Sequence, residues 1–296
     1  MKDYFVGFCD YLNNKAVSEN TLESYMSDIK RFLSFLSESG IENPGDADSK
    51  MIRCYIDKLT DLKRSNATII RKVASIRNFY QYLILTGEMV NNPAKSIDLE
   101  KAEKKLPQIL SGKEIELLLA QPDITEAKGC RDKAMLELLY ATGIRVSELI
   151  DLDIENINLH SGMLYCKNGK TERVIPVYST AIIATSDYIC RVRNLIISPD
   201  GGHALFTNLN GKRLTRQGFW KIIKGYASKA DIMKEITPHT LRHSFALHLL
   251  ENGAELKDIQ AMLGYADISS TQVYVHLLND HFKEVYNNCH PRAKLG

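Results

Sequence analysis

The stretch from Glu100 to Pro107 constrains this chain most. It is charged, poor in large apolar residues and closed by a proline. A segment of that composition cannot join a core, so it reads as a linker. The chain must then fold as two parts, each around its own apolar residues. At 296 residues it is long for one core and comfortable for two. The expected division is a helical domain over residues 1–99, a linker over 100–110 and a larger domain over 111–296.

The first part reads as helix throughout. Ser18 to Thr21 supplies caps, and Leu22, Tyr25, Ile29, Phe32, Leu33 and Leu36 recur at helical spacing until Gly40. A shorter helix covers Ser49 to Leu59. Another starts near Ser65, carries Ile69, Val73, Ile76, Phe79, Tyr80 and Leu83, and stops at Gly87. Lys63, Arg64, Arg71, Lys72 and Arg77 lie on or near this helix, largely off its apolar stripe. They make a solvated face or a surface for a polyanion.

The second part is mostly helical with one β insertion. Met135, Leu138 and Leu139 stripe a helix that Gly143 ends. Met163 to Cys166 and Thr171 to Val177 flank Asn168-Gly169, a strong signal for a hairpin turn. Asn210-Gly211 marks a further turn. Thr237-Pro238 supplies an N-cap and a proline at the first helical position, and Gly253 is the stop. Leu256, Ile259, Met262 and Leu263 form a short helix ended by Gly264. A last helix is expected after Ser269-Ser270-Thr271, running towards Tyr286.

Composition narrows the class without deciding it. A net charge of only +2 means that any case for nucleic acid rests on where the cations sit. The six cysteines contain no Cys-x-x-Cys pair, so zinc and dithiol readings fail, and scattered cysteines suit a reducing cytosol. No signal peptide is expected, and no run of eighteen apolar residues suggests a membrane span.

The chemistry lies in the second part. Arg145 follows a glycine stop, at the start of a new helix, with Glu148 three residues on. Lys167 and Lys170 flank the hairpin tip. His239 and Arg242, at i and i+3, share a helix face. A guanidinium binds two phosphate oxygens in a planar fork and keeps its proton, so two arginines can neutralise an attacked phosphate. A lysine can protonate a leaving oxygen. Tyr274 can attack, given a positive neighbourhood or a base, because a free phenol has a pKa of about 10. Each residue alone also has a plain structural reading, as an ion pair, a solvating lysine or a half-buried tyrosine.

Taken in order, these segments resemble the tyrosine recombinases, also called the phage integrase family, and among them the Xer type. The resemblance is strongest from Leu214 to Leu277. It runs through Ile-Thr-Pro-His-Thr-Leu-Arg-His-Ser-Phe-Ala to Met-Leu-Gly-Tyr-Ala-Asp-Ile-Ser-Ser-Thr-Gln-Val-Tyr-Val-His. The N-terminal part is similar to that family's helical core-binding domain.

The resemblance implies a mainly α fold: a helical DNA-binding domain and a larger helical catalytic domain with a small antiparallel sheet, closing on DNA as a C-shaped clamp. It implies that Arg145, His239 and Arg242 bind the phosphate, that Glu148 supports Arg145, and that Tyr274 is the nucleophile. Lys167 matches the hairpin lysine, with Lys170 as a rival. Tyr265 stands where the family usually has histidine, or sometimes tryptophan, and would take its place as a neutral donor. Lys63, Arg64, Arg71, Lys72 and Arg77 would meet DNA. The expected chemistry needs no cofactor or metal, because bond energy stays in a 3′-phosphotyrosine. The expected assembly is a tetramer of recombinase protomers on double-stranded DNA, in the cytoplasm. Two alternatives stay open: a type IB topoisomerase-like enzyme, and a recombinase-derived DNA-binding protein with impaired catalysis.

Overall fold

The computed structural model describes residues 2–99, 107–168 and 171–265. The chain divides into two compact units, residues 1–105 and 106–296.

The first unit is built from α1 (Lys2–Asn14), α2 (Glu19–Glu38), α3 (Ser49–Asp61) and α4 (Asn66–Leu85). Ser18, Asp48 and Ser65 cap the last three, each accepting a hydrogen bond from the backbone N–H three residues on. The core is aromatic. Phe8, Phe32, Phe79 and Tyr80 are fully buried, and the Phe8 ring meets Phe79 edge-on with centroids 5.3 Å apart. The Tyr80 hydroxyl donates to the Pro44 carbonyl at 3.1 Å, which satisfies a polar group that burial would otherwise strand.

One ionic cluster lies inside this unit and corrects the sequence reading. Lys72 is only 3% exposed, and its Nζ donates to Asp28 Oδ1 at 2.7 Å. Asp28 also accepts from Ser75 Oγ at 3.0 Å and Arg71 Nη2 at 3.0 Å. An ammonium out of water must be paired, and the lysine stem is long enough to reach α2 from α4. Lys72 therefore braces the α2–α4 contact and is not on a surface for a polyanion. Arg71 and Arg77 keep exposure, but their guanidinium groups are engaged: Arg71 with Asp28, Arg77 with the carbonyls of Ala94 and Ile97. Lys63 and Arg64, at the turn between α3 and α4, are exposed.

The second unit starts before the expected boundary. Leu110 is fully buried in its core, and its N–H donates to Ser244 Oγ at 2.9 Å. Ser111 then caps α5 (Gly112–Leu119) in a reciprocal box with Glu114. At the centre runs α6 (Ala127–Thr142), buried on nearly every side, with Ala134, Met135, Leu136, Leu138 and Leu139 all inaccessible. Around it lie α7 (Val146–Asp151), α8 (Ser179–Asp187) and α9 (Asn194–Ile196), the last two joined by a π-helical stretch, Tyr188–Arg193. After these come α10 (Arg216–Lys229), α11 (Pro238–Glu251) and α12 (Leu256–Leu263).

The sheet has three antiparallel strands in the order β1 (Ile157–Asn158), β2 (Met163–Asn168) and β3 (Thr171–Pro176). The register pairs Asn168 with Thr171, so residues 169 and 170, outside the described residues, lie between the strands. The register sets the pairing on either side of the expected turn. It also fixes which side chains share a face, because successive residues on a strand point to opposite sides. Cys166 pairs with Arg173 on the buried face, and Lys167 pairs with Glu172 on the exposed one. Among the described residues no helix is long and apolar enough to cross a membrane.

Candidate active site

Arg145 is the N-cap of α7, in extended backbone at φ −71° and ψ 150°. It stands two residues after Gly143, which ends α6 at φ +58°. A side chain is excluded at Gly143, because a Cβ there would fall 2.3 Å from the Phe245 ring. Glu148, one turn into α7, reaches back to the cap. Its Oε2 accepts from Arg145 N at 2.7 Å, and its Oε1 accepts from Arg145 Nη1 at 3.1 Å. The carboxylate expected to support Arg145 thus both caps α7 and holds the guanidinium.

Thr237 and Pro238 start α11 as the sequence predicts, with Thr237 Oγ1 accepting from Thr240 N at 3.3 Å. The helix carries His239 and Arg242 towards Arg145. Arg145, Ser147, Arg216, Trp220, His239 and Arg242 share the wall of one cleft of about 380 Å³. Arg242 is 2% exposed. Its Nη1 donates to the Gly143 carbonyl and its Nη2 to the Leu263 carbonyl, each at 2.7 Å. These are carbonyls at the ends of α6 and α12 that lack a helical partner, so Arg242 ties two helix C-termini together while its charge borders the cleft.

Tyr265 follows Gly264, the left-handed end of α12 at φ +64°. Its ring lies 4.8 Å from the Arg242 guanidinium and 5.8 Å from that of Arg145. Its hydroxyl accepts from Arg242 Nε at 3.4 Å. Burial, then Arg242 and then Arg145 hold the His239 imidazole below its ordinary value. The ring is therefore neutral at neutral pH and can take up a proton. His243, one turn on, is pushed down to about 4 by burial, His239 and Arg242.

Lys167 is not gathered with these groups. It stands on the exposed face of the hairpin, with its Nζ 2.8 Å from Glu172 Oε1 and both side chains 68% exposed. The bond and charge of Glu172 raise the Lys167 ammonium above its ordinary value. Lys170, Tyr274 and the expected last helix lie outside the described residues.

Arg173 was not singled out in the sequence, yet it meets the same carboxylate. Its Nη1 and Nη2 donate to Glu148 Oε1 and Oε2 at 3.0 and 2.8 Å. Burial alone would raise the Glu148 carboxyl. The bonds from Arg173 and the Arg145 backbone outweigh it and hold the group below the ordinary carboxylate range. Strand alternation from the buried Cys166 was the available signal, because the cross-strand partner of an inward residue also faces inward.

Comparison with known proteins places the chain in a family. Residues 108–281 match the phage integrase family, and residues 5–87 match its N-terminal SAM-like domain. The chain is similar to the tyrosine recombinase XerD of Staphylococcus epidermidis, 43% identical over 289 residues, covering 96% of this chain and 98% of that one. The XerD of Oceanobacillus iheyensis is 45% identical over 282 residues, covering 94% and 95%. Among solved structures, the fold is similar to a XerH site-specific recombinase bound to its difH substrate, with a TM-score of 0.75, 22% identity and coverage of 90% and 79%. It is similar also to a lambda integrase tetramer bound to a Holliday junction, with a TM-score of 0.71, 20% identity and coverage of 92% and 76%.

Proposed function

Because the chain belongs to the phage integrase family, we propose that it is a tyrosine recombinase that cuts and rejoins double-stranded DNA at a specific site through a 3′-phosphotyrosine. The observation that carries this reading is the convergence of Arg145, His239 and Arg242 on one cleft, with Tyr265 against both arginines. Two guanidinium groups there can neutralise the non-bridging oxygens of a phosphodiester as a fifth oxygen adds. The Tyr274 hydroxyl attacks phosphorus and gives its proton to neutral His239. The bond from phosphorus to the 5′ oxygen breaks, and Lys167 protonates that oxygen once it leaves Glu172. A 5′ hydroxyl from a partner strand reverses the steps. Four protomers working on paired DNA sites in the cytoplasm complete the reading.

A nicked duplex carrying the binding site tests it. Loss of a short 5′-hydroxyl fragment prevents rejoining, so a covalent protein–DNA band should accumulate. Tight binding without that band would instead support a DNA-binding protein with impaired catalysis. Relaxation of supercoiled DNA without strand exchange would support a topoisomerase.

Lys167 rather than Lys170 is assigned the leaving oxygen on the two-lysine spacing of Lys-Asn-Gly-Lys, and its exposed cross-strand ion pair contributes little and opens readily. Cleavage lost in Lys167→Ala should return when sulfur replaces the 5′ oxygen, because a thiolate leaves with little need of a proton. Rescue confined to Lys170→Ala would reverse the assignment.

The N-terminal unit contributes Lys63 and Arg64 to DNA binding in this reading. Each alanine substitution there should flatten the log–log salt dependence of affinity by about 0.9 for every phosphate that the side chain neutralises. Lys72→Ala should leave that slope unchanged, because its ammonium is occupied with Asp28. A slope that flattens for Lys72 and not for Lys63 or Arg64 would refute this division of roles.

A further inference from the structure

Each oxygen of Glu148 accepts one hydrogen bond from each of two arginines. Oε1 takes Arg145 Nη1 and Arg173 Nη1, and Oε2 takes the Arg145 backbone N–H and Arg173 Nη2. The third donor of Arg173, Nε, bonds the Met262 carbonyl at 2.8 Å. That carbonyl is in the last turn of α12, just before Gly264 and Tyr265. Gly264 leaves the room this needs, since a Cβ there would fall 2.9 Å from Arg173 Nη1. Arg173 is not among the residues lining the cleft.

We propose that Arg173 is a positioning residue for strand cleavage, fixing the Arg145 guanidinium through Glu148 and the end of α12, where Tyr265 begins, through Met262. The proposal rests on the recombinase reading of the cleft. Charge gives the first reason. Glu148 carries one negative charge, and with Arg145 as its sole partner it would cancel the charge that Arg145 brings to a phosphate. Arg173 supplies a second cation, so Arg145 keeps a net positive field towards the cleft. Geometry gives the second reason. A guanidinium fork grips both carboxylate oxygens at once and fixes the plane of Glu148, and that plane sets the direction of Arg145 Nη1. An ammonium can supply the charge but not the plane. The third reason is connectivity. Arg173 from β3 and Arg242 from α11 bond successive carbonyls of α12, Met262 and Leu263. The hairpin, both cleft arginines and the backbone entering Tyr265 therefore form one hydrogen-bonded unit.

Arg173→Met and Arg173→Lys in the full chain test this, by single-turnover cleavage of the nicked duplex across pH. Arg173→Met should keep most of its DNA affinity, because binding is spread over many phosphate contacts and only the one at Arg145 is weakened. It should cleave about 10²-fold more slowly, the scale of a misplacement of about 1 Å at a reacting group. Its acid limb should also move to higher pH. Glu148 is faced by Arg145 at the start of α7, Arg173 on β3 and the Cys166 thiol on β2, which burial keeps neutral, and Arg242 on α11 acts on that same thiol. With Arg173 gone, a buried carboxylate loses its strongest donors and protonates at a higher pH, which releases Arg145. Arg173→Lys should recover part of the rate and return the acid limb to its original place.

A slow Arg173→Met enzyme with an unmoved acid limb would make the residue mere scaffolding and overturn the proposal. So would wild-type cleavage by Arg173→Met. Should the methionine variant fail to fold, Arg173→Lys decides: slowed cleavage at an unchanged melting temperature supports the fork, and full activity overturns it. If the unaltered chain forms no covalent band, the recombinase reading fails instead.

Discussion

A Tyr274→Phe enzyme should bind its DNA site as tightly as the unaltered chain and form no covalent adduct with it. The substitution removes one oxygen and leaves an aromatic ring of nearly the same volume. The groups proposed to bind the phosphate, Arg145, His239 and Arg242, line the cleft and are untouched, so affinity has no reason to change. Cleavage has no route left, because covalent transfer requires an oxygen to carry the phosphoryl group. The assay is the nicked duplex with denaturing electrophoresis, followed by peptide mapping of the wild-type adduct. The rival oxygen is that of Tyr265, which accepts from Arg242 Nε at 3.4 Å. An adduct persisting in Tyr274→Phe, or mapping to Tyr265, would overturn the assignment.

Much of this fold is legible in the sequence because its signals are local. The caps at Ser18, Ser65, Ser111 and Thr237 act within one helical turn, and each starts a helix. Gly143 and Gly264 end helices in left-handed backbone, the first two residues before Arg145 of the cleft and the second directly before Tyr265. The pairing of His239 with Arg242 follows from helix periodicity alone.

What was not legible depends on contacts between elements. Lys72 stands three residues after Ile69 and four before Ile76, in step with the apolar stripe, but its charge reads as surface until Asp28 on a neighbouring helix supplies its buried partner. Arg173 sits in a strand between Glu172 and Val174 and shows no helical pattern. Its role appears only when the register places it opposite Cys166 and across from Glu148. The turn of the β2–β3 hairpin illustrates the same limit. Asn168-Gly169 marks its place in the chain, but the cross-strand partners of Cys166 and Lys167 appear only in the register.

The second large effect is expected at Tyr265, where the sequence resemblance implies a histidine or a tryptophan. The ring rests against both cleft arginines, at 4.8 Å from Arg242 and 5.8 Å from Arg145. Phenylalanine keeps that ring and its attraction for the two cations, so Tyr265→Phe isolates the hydroxyl. A hydroxyl can accept from Arg242 Nε and still direct its single proton to a phosphate oxygen. Loss of one preorganised donor of that kind costs about 10²–10³ in rate. Tyr265→Phe should therefore slow cleavage of the nicked duplex by that factor and leave DNA affinity near wild type. Tyr265→His restores a group that can donate as an imidazole and, when protonated, adds charge, so it should hold or raise the rate. Wild-type cleavage by Tyr265→Phe would remove the hydroxyl from the mechanism. The ring would then serve only to pack the two guanidinium groups, and Arg145, Lys167, His239 and Arg242 would carry the chemistry of the phosphate without it.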